Sequence, residues 1–214
     1  MVRIHLRVIW TLILLCTLCS VDGTWAGPPT DHLREGVDRV GKILKDPELA
    51  ADTRADERRV AIGTAVEKIF DFSETSKRSL GQYWAQRTPA EREEFVRLFT
   101  DLFKRTYVSK VDQFNSEMTI RDETIEGDHA VVRTTLLLSK GGAMSLDYLM
   151  HHPGDRWQVY DLNIDGVSLV ANYRAQFNKI IRTSSYEALV TTLRSRQVES
   201  SAPAASAPGA KPGR

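Results

Sequence analysis

The chain has 214 residues, 27% of them charged and 42% hydrophobic, with a formal net charge of +1. So even a balance offers no basic face for nucleic acid and no standing attraction to anionic headgroups. Both cysteines, Cys16 and Cys19, lie near the N-terminus, which leaves the rest of the chain without thiol, disulfide or cysteine-based metal chemistry.

The first segment reads as a secretory leader. Arg3, His5 and Arg7 precede an apolar run from Val8 to Cys19, and Thr24-Trp25-Ala26 gives a cleavage site before Gly27. An uncleaved anchor is the rival, but the apolar run is short for a bilayer. A lipoprotein signal is disfavoured because Leu15 and Leu18, not small residues, precede the cysteines. Removing Arg3, Arg7 and Asp22 leaves as many basic as acidic side chains.

Beyond the leader, Asp31–Leu44 places Leu33, Val37, Val40 and Leu44 at helical spacing. After a polar linker, Arg58–Phe72 repeats the pattern with Val60, Ile62, Val66, Ile69 and Phe70. Ser73–Trp84 is expected to form a short helix stopped near Gly81. The strongest helix signal runs from Thr88 to Tyr107. Thr88 is its N-cap, Pro89 fits the first helical position, and Glu91 completes a capping box. Phe95, Leu98, Phe99, Leu102, Phe103 and Tyr107 then form one apolar face.

The periodicity next changes from helical to alternating. Met118–Ile125, His129–Leu138, Met144–His151 and Arg156–Ile164 read as four strands. Gly127-Asp128, Gly141-Gly142 and Pro153-Gly154-Asp155 separate them, so the strands form an antiparallel meander. A helix from about Val167 to Arg182 follows, with Val170, Tyr173, Phe177, Ile180 and Ile181 as its stripe. A last helix starts at Ser184 with Glu187 three residues on. Helices, then a sheet, then helices define an α+β fold with helices packed on a curved sheet. The folded domain spans residues 29–198; the Ala/Ser/Pro-rich end, residues 199–214, reads as a disordered tail.

Three blocks, FDFSETSKRSLGQYW, TPAEREEFVRLFTDLFKRTYVSK and WQVYDLNIDGVSLVANYRAQFNKIIRTSSYEALVTTLRSR, resemble the toluene-tolerance, or MlaC-like, family. The likeness extends over Asp31–Arg196. It implies an NTF2-like cone, in which a curved four-stranded antiparallel sheet and N- and C-terminal helices wrap an apolar cavity. It implies a periplasmic carrier that buries the acyl chains of a phospholipid. Such a carrier shuttles between an outer-membrane lipoprotein complex and an inner-membrane ABC transporter complex of the Mla lipid-transport system. No cofactor, metal or catalytic residue is implied. One branch of the family is associated with hopanoid biosynthesis, which makes a triterpenoid the alternative cargo.

Under that resemblance Phe99, Phe103, Tyr107, Tyr148, Tyr160, Leu162, Val170 and Tyr173 are expected to line the cavity. The same stripes serve equally well as ordinary core, and periodicity does not separate the two. Asp161 and Asp165 suit turn or cap roles better than headgroup contact. The enzyme alternative assigns His129, Tyr148 and Asp161 to acid–base work in a cone-shaped pocket. It has no diagnostic spacing behind it. His151 and His152 are neighbours on a strand, so they point to opposite faces and suit a turn edge, not a metal site.

Overall fold

A computed structural model describes residues 27–108, 111, 114–138 and 141–198. The expected leader, residues 1–26, and the expected tail, residues 199–214, lie outside the described residues.

Helix α1 (Pro28–Leu44) opens on two prolines, whose fixed φ suits a first turn. It runs against α2 (Ala55–Ile69), which turns Ile62, Ala65 and Ile69 inward. Val60, expected on that inner stripe, is 70% exposed. The expected single helix through Phe72 is broken two residues earlier. Phe70 leaves it to bridge Val159 in the sheet, and the Asp71 amide donates to the Val159 carbonyl at 2.8 Å. A new helix α3 (Phe72–Leu80) then starts, its Glu74 amide donating to the Asp71 carboxylate at 2.9 Å. Periodicity carries across this break because Phe72 is buried like the residues before it. Gly81, at φ 58°, ends α3 in the left-handed region, and a 3-10 segment continues to Gln86.

Helix α4 (Pro89–Tyr107) has the expected capping box. The Glu91 amide donates to Thr88 Oγ1, and the Thr88 amide donates back to the Glu91 carboxylate at 2.7 Å. Phe95, Leu98, Phe99, Leu102 and Phe103 are buried along one face.

The sheet has strand order β1-β2-β3-β4-β5, antiparallel throughout. β1 (Phe114–Glu126), β2 (His129–Leu138), β3 (Ala143–His151) and β4 (Gln158–Ile164) are the four expected strands, with β1 starting earlier and β4 later than expected. Register shifts between Ile120 and Asp122, and between Leu149 and Met150, mark bulges; bulges bend a sheet locally. β5 (Val167–Ser168) was not expected. Asp165 (φ 48°) and Gly166 (φ 82°) both take positive φ, the requirement of a tight hairpin turn, and return the chain alongside β4. Helix α5 (Leu169–Thr183) therefore begins two residues after Val167, with Ser168 as its cap. In α6 (Tyr186–Val198) the cap is Ser185, whose Oγ accepts the Ala188 amide at 3.2 Å, one residue beyond the expected start.

Burial divides into two clusters. One lies under the sheet, where Leu33, Ile69, Phe70, Phe72 and Phe103 meet Val132, Leu146, Tyr148, Met150 and Val159. The other joins Phe95, Leu98, Phe99 and Leu102 of α4 to Tyr173 and Phe177 of α5 and Leu189 and Leu193 of α6. Tyr107 packs against both.

Candidate functional site

A pocket opens where these two clusters meet. Phe70 and Thr75 contribute from around α3, Phe99 and Phe103 from α4, Asp161 and Leu162 from β4, and Leu169, Val170 and Tyr173 from α5. Phe70, Phe103 and Leu169 belong to the cluster under the sheet; Phe99 and Tyr173 belong to the helical one. The wall thus lies along the seam between the two clusters.

The aromatic rings meet in tilted and edge-to-face pairs. Phe103 stands 5.1 Å from Phe70, 5.2 Å from Phe72 and 4.8 Å from Tyr107, centroid to centroid. On the other side Phe99 meets Tyr173 at 4.9 Å and Phe177 at 5.4 Å. Such pairs add to area burial and fix ring orientation.

Three wall residues, Thr75, Asp161 and Tyr173, carry polar side-chain atoms, and each has a hydrogen-bond partner. The Thr75 hydroxyl sits 2.7 Å from the Asp71 carbonyl and 3.0 Å from the Tyr160 carbonyl. The Asp161 carboxylate accepts from the Leu162 amide at 2.8 Å, the Val170 amide at 3.0 Å and the Ser168 hydroxyl at 2.6 Å. Backbone and cap consume these two side chains, and the Tyr173 hydroxyl is hydrogen-bonded to Tyr107, so what remains facing the seam is mostly hydrocarbon. Asp165 also does turn work, accepting the Ser145 amide at 2.9 Å.

Of the eight residues expected to line a cavity, Phe99, Phe103, Leu162, Val170 and Tyr173 come together in this wall. Tyr107 adjoins it through Phe103 and shares a hydrogen bond with Tyr173; burial and that neighbour push its hydroxyl pKa up. Tyr148 lies deeper under the sheet, opposite Val132 and Leu162, where burial raises its pKa to about 12. Tyr160 is not brought to the wall. Its ring lies beneath the Arg78 guanidinium at 4.0 Å and beside His151 at 5.6 Å, because the bulge in β4 turns it outward. Phe70, Thr75 and Leu169 were missed by sequence reasoning. They sit at helix boundaries, where no periodic signal marks which way a side chain points.

The space in and before this wall amounts to about 210 Å³, part of it open to solvent, and the gaps between the wall's side chains are too narrow for a water molecule. Pockets that hold drug-sized ligands span roughly 300–1,000 Å³. Side chains therefore meet across the seam in the described conformation.

The residues proposed for acid–base chemistry are not assembled. His129 is exposed and bonds Asp128 at 2.7 Å, Tyr148 is buried under the sheet, and Asp161 caps α5. The His151 ring meets the Asp71 carboxylate at 3.0 Å, while the His152 ring lies 5.1 Å from that of Trp157, so the two histidines have different neighbours. Among the described residues no cluster of three or more His, Cys, Asp or Glu is arranged to hold a metal.

The chain is thus a mixed helix-and-sheet domain whose two cores meet at an apolar, hydrogen-bonded wall. The MlaC protein family matches residues 34–195 of the chain, which belongs to that family. A curated relative, the intermembrane phospholipid transport system binding protein MlaC of Haemophilus influenzae, is 25% identical over 120 residues. That alignment covers 53% of this chain and 56% of the relative, so it spans little more than half the relative's length. The structure of a phospholipid-binding protein from Ralstonia solanacearum, in complex with a phospholipid, superposes with a TM-score of 0.68 at 26% identity. It covers 82% of this chain and 99% of the other.

Proposed function

We propose that this protein is an exported phospholipid carrier, working in the periplasm between an outer-membrane lipoprotein complex and an inner-membrane ABC transporter complex. The observation that carries the reading is the wall itself: largely apolar, with its polar side chains already hydrogen-bonded, and set on a seam between two cores. The phospholipid bound to the Ralstonia relative supports it.

The energetics explain why such a wall suits the task. A buried methylene contributes about 0.8 kcal/mol, so two tails of ~16 carbons lose roughly 20 kcal/mol or more of stabilisation when they enter water. A carrier must match the bilayer closely in apolarity: a poorer site would not load, and a much better one would not deliver. Unpaired hydroxyls or charges would spoil that match, and the wall holds none. Because the described gaps are too narrow for a tail, loading requires the two clusters to part along the seam.

Native mass spectrometry of the protein purified from a bacterial periplasm, followed by lipid extraction, tests the reading. A co-purified diacyl phospholipid is the expected result. A triterpenoid would place the protein in the hopanoid-associated branch, and a protein that stays lipid-free after incubation with phospholipid vesicles would overturn the carrier reading.

A further inference from the structure

The start of α1 is capped from an unusual distance. A helix leaves its first four backbone N–H groups without intrahelical partners. Here Pro28 and Pro29 have no N–H to satisfy, and the Asp31 amide already reaches the Gly27 carbonyl at 3.0 Å. Gly27 itself has no side chain to act as a cap. The remaining donor, the Thr30 amide, is taken by Glu123 Oε2 on β1 at 2.7 Å, a contact across 93 positions of sequence. Glu123 is the partner of Val132 in the ladder, so it reaches the helix from the face of the sheet that α1 covers.

That leaves the second oxygen. Glu123 Oε1 lies so close to Gly27 that a Cβ at that position would collide with it, and the Ile125 side chain closes the same corner. Among the described residues no group donates a hydrogen bond to Oε1. The backbone nitrogen of Gly27 and that Cβ position branch from the same Cα, which places the nitrogen no more than about 4.6 Å from the oxygen, and rotation about the Cα–C bond can carry it toward the Cβ position. In an uncut chain that nitrogen is a neutral amide. Cleavage after Ala26 turns it into an α-ammonium, free to rotate about the Cα–C bond.

We propose that leader removal completes the cap of α1: the α-ammonium created at Gly27 pairs with Glu123, whose other oxygen holds the Thr30 amide. The proposal rests on the export reading, and Gly27 is then a processing position with a structural use for its new charge. A residue with a side chain at position 27 would displace the carboxylate; glycine leaves it in place. The other charges nearby have their own partners, Asp31 with Arg34 and Asp122 with Arg133.

The test separates processing from pairing. Intact mass of the protein exported with its own leader reports the first residue; a start other than Gly27 overturns the processing half. For the pairing half, a protein beginning at Gly27 is prepared by proteolysis of a fusion, so that its outcome does not depend on export. An amine-acylating reagent near pH 7.5 is then timed at Gly27 by peptide mass. Pairing holds the amine protonated, so Glu123→Gln is expected to raise the labelling rate at least threefold. Acetylating the Gly27 amine is expected to lower the melting temperature of the unsubstituted protein but leave the Glu123→Gln variant unchanged. Equal labelling rates, or equal loss of melting temperature in both proteins, would overturn the ion pair. Phospholipid retention, measured on the same samples, reports separately on the carrier reading.

Discussion

A carboxylate in an apolar wall survives only if donors surround it, and Asp161 has three within 3.0 Å. Through them one side chain ties the end of β4 to the start of α5, the two elements that supply most of one side of the pocket. Removing it leaves buried amides without an acceptor. Asp161→Ala is expected to cost about 2–4 kcal/mol in urea unfolding, given 1–3 kcal/mol for each unsatisfied buried group, whereas Asp161→Asn restores part of the loss. The tyrosines give a second residue-scale outcome. Burial raises the folded pKa of Tyr148 to about 12, against about 10 in an unfolded chain. Its contribution to stability is therefore complete below pH 10 and is lost as pH rises from there through 12. Absorbance of tyrosinate should show Tyr148 ionising together with alkaline unfolding, and Tyr148→Phe should move the onset of that transition to higher pH.

At the scale of elements, close approach decides what can change. Gly36 faces α2 so tightly that a Cβ there would strike the Ile69 side chain. Ile69 is itself fixed beneath Phe70 and the sheet, so it has nowhere to move. Gly36→Ala should destabilise by about 1–3 kcal/mol, as overpacked cores do, although alanine favours an exposed helix. That sign reversal in thermal or urea melts is the check. Helix α4 was legible from its sequence because its signals are local: Thr88, Pro89 and Glu91 lie within one turn, and its phenylalanines repeat at three and four residues. The α2–α3 break was not legible. It exists because Phe70 and Asp71 bond to Val159, almost ninety positions away, and no local pattern reports that partner. The same holds for β5, which depends on the Asp165-Gly166 turn folding back on β4.

For the whole molecule, two clusters meeting at a seam distinguish side chains that frame each body from those that face the gap. Phe103 has three aromatic neighbours within about 5 Å, so Phe103→Glu is expected to unfold the protein by burying a charge without a partner. Val170 sits at the seam beside the start of α5. Val170 is as buried as Phe103, so Val170→Glu is expected to lower the melting temperature as well, and phospholipid recovered after vesicle incubation by the fraction that stays folded should fall at least tenfold. A Val170→Glu protein that binds lipid normally would remove that residue from the carrier surface.

The sequence by itself determined the α+β order, the four long strands and the α4 and α5 stripes, since periodicity and turn chemistry act over a few residues. It also carried the blocks that resemble the family. Only the tertiary structure decided which stripe residues share a wall, that Tyr160 turns away beneath Arg78, and that Thr75 and Asp161 spend their polar atoms on the backbone and the Ser168 hydroxyl. Those outcomes follow from a bulge in β4 and from contacts between distant segments. Side-chain period specifies a face of an element, and the partner that covers that face is settled when the chain packs.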